Sequence, residues 1–326
     1  MMGIFNKSVA APLVGLAFLA GSATAYADNY PSRAVTVVVP FLAGGGGDTL
    51  ARVATHSLSN ELGQTIVVEN KPGAGGNLGT AQVARSAPDG YTLAYGTNGT
   101  AAINHLIYKN PGFSQDDLEP ISRLTTIAAA MAVNADSPIK SVQDLIAAAK
   151  QKPGALTCGS AGNGTTSHIA CEMFKQMAGV NVMHVPYRGG AAALTDLLGG
   201  RIDFMIDVMP NLAGQIAGGK LRPLAVTMKE RVPSHPDIPT MIEAGVPDYY
   251  FFAWDGLYAP KGTPASVLDK LNQSVRAALA KPDVVKSLTD RGATPAPTSR
   301  EELREFIKSE YNRLESVVKV AGAQVD

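Results

Sequence analysis

The sequence predicts an exported α/β protein in which two similar units, each built on a mainly parallel sheet, face each other across a cleft. Three observations carry that prediction. Short β-branched runs alternate with amphipathic helical patterns along the chain, the signature of sheets covered by helices. The strand–proline–glycine–helix passage "VVVPFLAGGGGDTLARVA" at residues 37–54 is echoed by "HVPYRGGAAALTDLL" at residues 184–198. The chain also opens on an apolar stretch that ends in a small-x-small motif.

That opening stretch comes first in the chain. Lys7 precedes an almost continuous apolar run over residues 9–20, and Ala25-Tyr26-Ala27 offers a signal-peptidase site. Its length is that of a secretory signal and not of a retained membrane anchor. Residues 1–27 are therefore expected to be removed, leaving an exported mature chain that begins at Asp28. No cysteine stands near the cut, which argues against a lipidated start.

Strands are then predicted at residues 34–39, 65–69, 91–95, 156–158, 181–185, 202–206 and 224–227. The helix at 141–150 starts on Ser141 with Asp144 in capping position and stops at Pro153-Gly154. Helices are also predicted from Thr166, with His168 in the first turn, and over 191–198. Pro264 opens another, whose Val267, Leu268, Leu271 and Val275 share a face. Ser299 and Glu302 form a capping box for a last helix in which Leu303, Phe306, Ile307, Leu314 and Val318 align. Ligands in open α/β sheets sit outside the carboxyl ends of the strands, so the two glycine-bearing loops are expected to border the cleft.

Composition narrows the function. The 326 residues suffice for two domains of ordinary size, and 28 basic residues balance 28 acidic ones. Nucleic-acid binding needs a basic field and is disfavoured. Cys158 and Cys171, the only cysteines, are expected to close a disulfide in an oxidising compartment; the alternative is two free buried thiols.

The glycine loops fail as nucleotide sites. Gly159 and Gly164 have the spacing of a phosphate loop, but Thr165 stands where its lysine must be. From Gly44, Gly45 or Gly73 the third glycine of a dinucleotide fingerprint is missing. The five histidines never fall at helical i, i+4 spacing and no C-x-x-C occurs, so no metal and no cofactor are expected. A hydrolase using Ser160, His168 and Asp207 is the alternative reading, although no G-x-S-x-G elbow is present. What remains is an anion held by backbone amides and hydroxyls in three lysine-poor loops, 40–48, 97–100 and 160–167.

Taken together these motifs resemble one family. Pro40-Phe41-x-x-Gly44-Gly45-x-x-Asp48-x-x-Ala51-Arg52 is similar to the opening loop of the Bug receptors, the extracytoplasmic solute-binding proteins of tripartite tricarboxylate transporters. The likeness continues through "VVENKPGAGGNLGT", "APDGYTL", "GSAGNGTTSHIACEMF", "VPYRGGAAALTDLLGGRIDFMID", "LRPLAVT" and "WDGLYAPKGTP", so it spans the mature chain. "FLAGGGGD" departs from the proline-containing form of the loop found in many members. The resemblance implies a type II periplasmic-binding fold, two α/β lobes joined by crossing strands. Lobe 1 would be residues 28–124 with 255–326 and lobe 2 residues 125–254, with crossings at 121–133 and 251–258. It further implies a receptor, not an enzyme, that captures a small organic carboxylate, either an aliphatic di- or tricarboxylate or an aromatic acid. It would act as a monomer and deliver its ligand to the membrane subunits of a transporter; a sensor-linked role is the other option. The ligand residues carried over are Phe41, Leu42, Ala43, Gly44, Asp48, Thr97, Asn98, Ser160, Thr165, Thr166 and Asp207. Phe41, Tyr187 and Trp254 are read either as flanking an aromatic ring or as lobe packing.

Overall fold

The computed structural model describes residue 3 and residues 29–321. The predicted cleavage site after Ala27, and nearly all of the signal segment before it, lie outside these. The chain from Pro31 onward forms one compact unit.

Strand β1 (Val35–Val39) is almost wholly buried and breaks at Pro40; a glycine turn then leads into α1 (Gly46–Leu62), which ends on the left-handed Gly63. Next come β2 (Ile66–Asn70), α2 (Asn77–Ala84), β3 (Thr92–Thr97), a π-helical turn at Gly99–Ile103 and α3 (Asn104–Ile107). Two strands follow almost without a break, β4 (Leu118–Ile127) and β5 (Ala129–Asn134). The middle of the chain contributes α4 (Val142–Gln151), β6 (Thr157–Ser160), α5 (Thr166–Met177), β7 (Met183–Pro186), α6 (Gly190–Leu198), β8 (Phe204–Val208), α7 (Met209–Ala217) and β9 (Leu221–Val226). The last part holds β10 (Ala253–Pro260), α8 (Ala265–Leu279), α9 (Pro282–Thr289), β11 (Ala293–Pro295) and α10 (Arg300–Ala321).

These strands form two sheets, one of six strands in the order β11-β4-β10-β3-β1-β2 and one of five in the order β7-β6-β8-β5-β9. The expectation of mainly parallel sheets needs correction. β1 is parallel to β2 and β3, and β6 to β7 and β8, but β10 is antiparallel to both β3 and β4, and β5 to both β8 and β9. The cause is the passage of the chain between sheets. It leaves the first sheet at Ile127, enters the second at Ala129 and returns at β10, and each passing strand must lie against the βα units already there. The predicted strands shift by up to three residues at their ends, 156–158 and 181–185 becoming β6 and β7, 202–206 becoming β8 and 224–227 becoming β9, and α7 and α9 were not foreseen. α7 starts on a Met-Pro pair, proline being suited to a first helical turn where no N–H is needed.

Both faces of the second sheet are buried, as a helix-covered α/β sheet requires. Met131, Val133, Phe204 and Ile206 face α5 with Phe174, while Ala130, Ala132 and Met205 face Leu197 and Leu212. Helix α10 ties the two halves together: Leu303 packs with Trp254 and Tyr258, whereas Leu314 and Val318 join the core around Phe174. Among the described residues, no helix is long and apolar enough to cross a membrane.

Candidate binding cleft

The loops after β1, β3, β6, β7 and β8 converge on a cavity of about 80 Å³ between the two sheets. One water needs only about 10–15 Å³ of such space, so the cavity has room for a small ligand or several waters. A wider hollow of about 540 Å³ shares Phe41, Leu42, Ala161, Thr165 and Gly189 with it and is bordered by Arg188.

Three helices point their N-termini into the inner cavity. Gly45–Gly47 at the start of α1, Thr165–Ser167 at the start of α5 and Gly189–Ala191 at the start of α6 all line it. None of these ends is capped by a side chain. Gly45 has no side chain to offer, Thr165 Oγ1 donates to the Gly162 carbonyl at 2.6 Å, and Gly189 adopts φ 133°, a conformation for which glycine is suited. Each open helix start carries about half a positive charge. Among the described residues no lysine, arginine or histidine lines the inner cavity, and the one charged group there is Asp207.

Asn98 adds a donor. Thr166 Oγ1 donates to Asn98 Oδ1 at 2.8 Å across the cleft, which leaves Nδ2 as the amide's free end. That nitrogen is buried without a partner among the described residues. Tyr108 Oη donates to the Asn163 carbonyl at 3.0 Å, a second bond between the two sides. Leu50, Ile127, Ala253 and Trp254 supply an apolar wall. Trp254 is held by Nε1 donating to Glu310 and by edge contact with Phe306. Tyr95 on the same wall donates to the buried Asp255.

Of the residues nominated from sequence, Phe41, Leu42, Thr97, Asn98, Thr165, Thr166 and Asp207 line the inner cavity. Ala43, Gly44, Asp48 and Ser160 do not. Ala43 and Gly44 are exposed at the loop tip. Asp48 is buried beneath that loop, where its carboxylate accepts from Gly44 N–H (2.9 Å), Asn70 Nδ2 (2.9 Å) and Arg52 Nε (3.0 Å). Burial works against its ionisation, but the bonds from Arg52, Gly44 and Asn70 outweigh it and hold the carboxyl below its usual range. Asn70 also donates to the Phe41 carbonyl, so Asp48 and Asn70 together shape the loop that carries Phe41. Sequence reasoning missed Asn211 and Tyr95; it placed the glycine loop before α6 at the cleft through its echo of the first glycine passage but nominated no ligand residue there.

The Ser160, His168, Asp207 triad is not assembled. Ser160 is fully buried and its Oγ lies 2.6 Å from His184 Nε2, not at His168. His168 Nδ1 accepts from Gly164 N–H, and Asp207 accepts from Val208 N–H (2.8 Å) and Asn211 Nδ2 (2.7 Å). Burial, and beside it the neighbouring His184 and Lys175, lower the His168 pKa to about 3; burial and Lys175 lower that of His184 to about 4. The two neutral rings stack at 4.3 Å and brace the loop from Ser160 to Ser167 from behind. With Glu172 they bring ligand-type atoms within 4.8 Å, but Lys175 already bridges both Glu172 oxygens, His184 Nε2 is engaged by Ser160 and His168 Nδ1 accepts from Gly164 N–H. Tyr187 donates to Asp196 and lies outside the inner cavity, whereas Phe41 and Trp254 line it. Cys158 and Cys171 pair with Cα atoms 6.5 Å apart, within disulfide range.

Comparison with known proteins adds the following. The family model described as "Tripartite tricarboxylate transporter family receptor" matches residues 50–323. The chain is similar to the solved structure "R. palustris Rpa4515 with adipate", with a TM-score of 0.89 and 38% identity over 91% of this chain and 100% of that one. It is also similar to the periplasmic binding protein BugD (TM-score 0.87, 38% identity, 90% and 99% covered). MatC (Rpa3494) from Rhodopseudomonas palustris with bound malate matches at a TM-score of 0.84 and 35% identity, covering 89% and 100%.

Proposed function

Because the chain belongs to the receptor family of tripartite tricarboxylate transporters, we propose that it captures a small organic carboxylate in the periplasm and hands it to the membrane subunits of such a transporter. It is a solute-binding receptor and not an enzyme. The observation that carries the carboxylate reading is the cation-free cavity faced by three uncapped helix starts. Unpartnered N–H groups at a helix terminus favour an anion by both hydrogen bonding and dipole. In this reading the starts of α1 and α5, with Asn98 Nδ2, take the carboxylate. Phe41, Leu42, Thr97, Thr165 and Thr166 surround it, Asp207 meets the far end of the ligand, and Asp48 and Ser160 act by positioning their loops. Residues 28–124 with 255–326 move against 125–254 as the cleft opens and closes, and the mature protein works as a monomer after removal of residues 1–27.

A ligand that binds only the folded state raises its stability by about 2.7 kcal/mol at a hundred times its Kd. A thermal-shift screen of aliphatic di- and tricarboxylates, hydroxy acids and aromatic acids is therefore expected to give a clear rise in Tm for a subset of closely related acids. If no carboxylate in the panel raises Tm at millimolar concentration, the proposal fails.

A further inference from the structure

A second cavity, of about 280 Å³, opens on the six-stranded half between β3, β10, α10 and the loop that precedes β4. It shares no lining residue with the inner cavity or the outer hollow of the cleft. Ala94, Phe113, Leu118, Ile307 and Tyr311 give it a largely apolar and aromatic wall. A dry apolar cavity of about 150 Å³ already holds benzene, so this one has room for a substituted ring.

Two polar groups of that wall are unsatisfied. Tyr258 is 4% exposed, and its Oη has no hydrogen-bond partner among the described residues. His105 Nε2 is buried without a partner in the same way. Buried polar side chains are nearly always paired, so two unpaired ones in a single cavity wall point to a partner from outside the chain. Asn98 Nδ2 is unpaired too, and Asn98 lines the cleft.

The two groups are complementary. Burial, with Asp255 beside it, raises the Tyr258 pKa, so the hydroxyl keeps its proton and is a donor. Burial lowers the His105 pKa, so the ring is neutral at pH 7. The bond of that ring to the Thr100 backbone favours its N–H form and leaves Nε2 as the acceptor. A donor and an acceptor together suit a hydroxyl, which accepts and donates at once. The aromatic neighbours suit a ring. Phe113 stands edge-on to His105 with centroids 5.0 Å apart, and the Tyr258 ring lies against Gly96, where a Cβ would come within 2.6 Å of it. Charge at the exposed margin is balanced. Arg304 pairs with Glu301 and Glu119, while Lys308 and Asp116 carry opposite signs.

We propose that this cavity is a second binding site, separate from the cleft, for a small uncharged aromatic molecule that bears a hydroxyl, a phenol in the simplest case. The ligand hydroxyl is the partner that Tyr258 Oη and His105 Nε2 lack. The site is independent of the receptor reading, which stands or falls on the cleft.

Fluorine NMR titration of the exported protein at pH 7 with para-fluorophenol, para-fluoroanisole and fluorobenzene tests the proposal. All three suit the apolar wall, but only the phenol has a proton to give to His105. It is expected to bind saturably and roughly tenfold more tightly than the anisole, because a buried acceptor left unpaired disfavours the analogue. Tyr258→Phe is expected to remove most of that preference, and Ala101→Phe, which fills the cavity, to abolish phenol binding. Crystals soaked in para-bromophenol are expected to place the bromine between β10 and α10. No saturable binding of the phenol at millimolar concentration overturns the proposal, as does equal affinity for phenol and anisole. Phenol binding that survives Ala101→Phe in a variant shown folded by circular dichroism does the same, and so does a soaked crystal with only ordered water in the cavity. Each of these outcomes leaves the receptor reading intact.

Discussion

Substituting Gly46 by alanine places a wedge between the two sides of the cleft. Gly46 is the first residue of α1, and a Cβ built on it would meet Val208 Cγ2 at 2.8 Å, the Asn211 backbone nitrogen at 3.3 Å and Asn211 Cβ at 3.5 Å. Carbon atoms rest at about 3.5–4.0 Å, so Val208 must retreat by roughly 1 Å. Val208 and Asn211 lie in the five-stranded half and Gly46 in the six-stranded half, so the simplest retreat is partial opening. Overpacking of this size typically costs about 1–3 kcal/mol. Here that cost falls on the closed state alone, because the open protein has nothing for the methyl group to strike. A ligand whose affinity depends on closure then binds roughly 5- to 150-fold more weakly. The apo protein should be as stable as wild type or slightly more so, since alanine suits a helix better than glycine. Calorimetric titration with the tightest carboxylate, together with small-angle scattering of the liganded protein, reads both effects. Adding Val208→Ala removes the atom that is struck and should recover most of the affinity, a coupling that a double-mutant cycle measures. Unchanged affinity and full closure in Gly46→Ala would refute the reasoning.

Three further outcomes are expected. Asp207→Asn should stabilise the apo protein above pH 6 by up to about 3 kcal/mol, since a carboxyl raised to about 6 from 3.8 carries that penalty once ionised. The penalty is absent below about pH 4, where the carboxyl is protonated folded or unfolded. The gain in urea-denaturation stability should therefore vanish by pH 4, and a gain constant with pH would contradict the assignment. Thr166→Ala should weaken ligand binding by about 0.5–1.5 kcal/mol through loss of its bond to Asn98, with little change in apo Tm; a large fall in apo Tm would show that the bond serves folding instead. Cys158→Ser should lower stability by about 3 kcal/mol in oxidised protein, and added reductant should lower wild type to match; thiol titration finding two free groups in exported protein would sink this expectation.

Much of this was legible in the sequence, and the reason is local. The run from Val35 to Val39 ending at Pro40 and a glycine cluster can only be a buried strand turning sharply, and four glycines before a helical pattern leave that helix start without a side-chain cap. The threonines after β6 were legible for the same reason. Which way a side chain turns was not. Asp48 lies in the first turn of α1, and nothing in its neighbours says that it looks back at Gly44 instead of forward into the cleft. Ser160 sits on a strand end beside the loop, but its orientation is set by His184, which is twenty-four positions away on the neighbouring strand β7. The antiparallel character of β10 and β5, and the reach of α10 across both cores, follow from where the chain passes between sheets, a long-range fact to which strand periodicity is blind.

The central claim is that helix N-termini hold a carboxylate that leaves chemically unchanged. Ligand-stripped protein titrated with its best carboxylate and with the corresponding primary amide tests it directly, with the recovered ligand checked by mass spectrometry. The account predicts saturable binding of the acid, a loss of at least tenfold for the amide, and recovery of the acid intact. Equal affinity for the amide would contradict it, as would turnover of an ester or amide that Ser160→Ala abolishes.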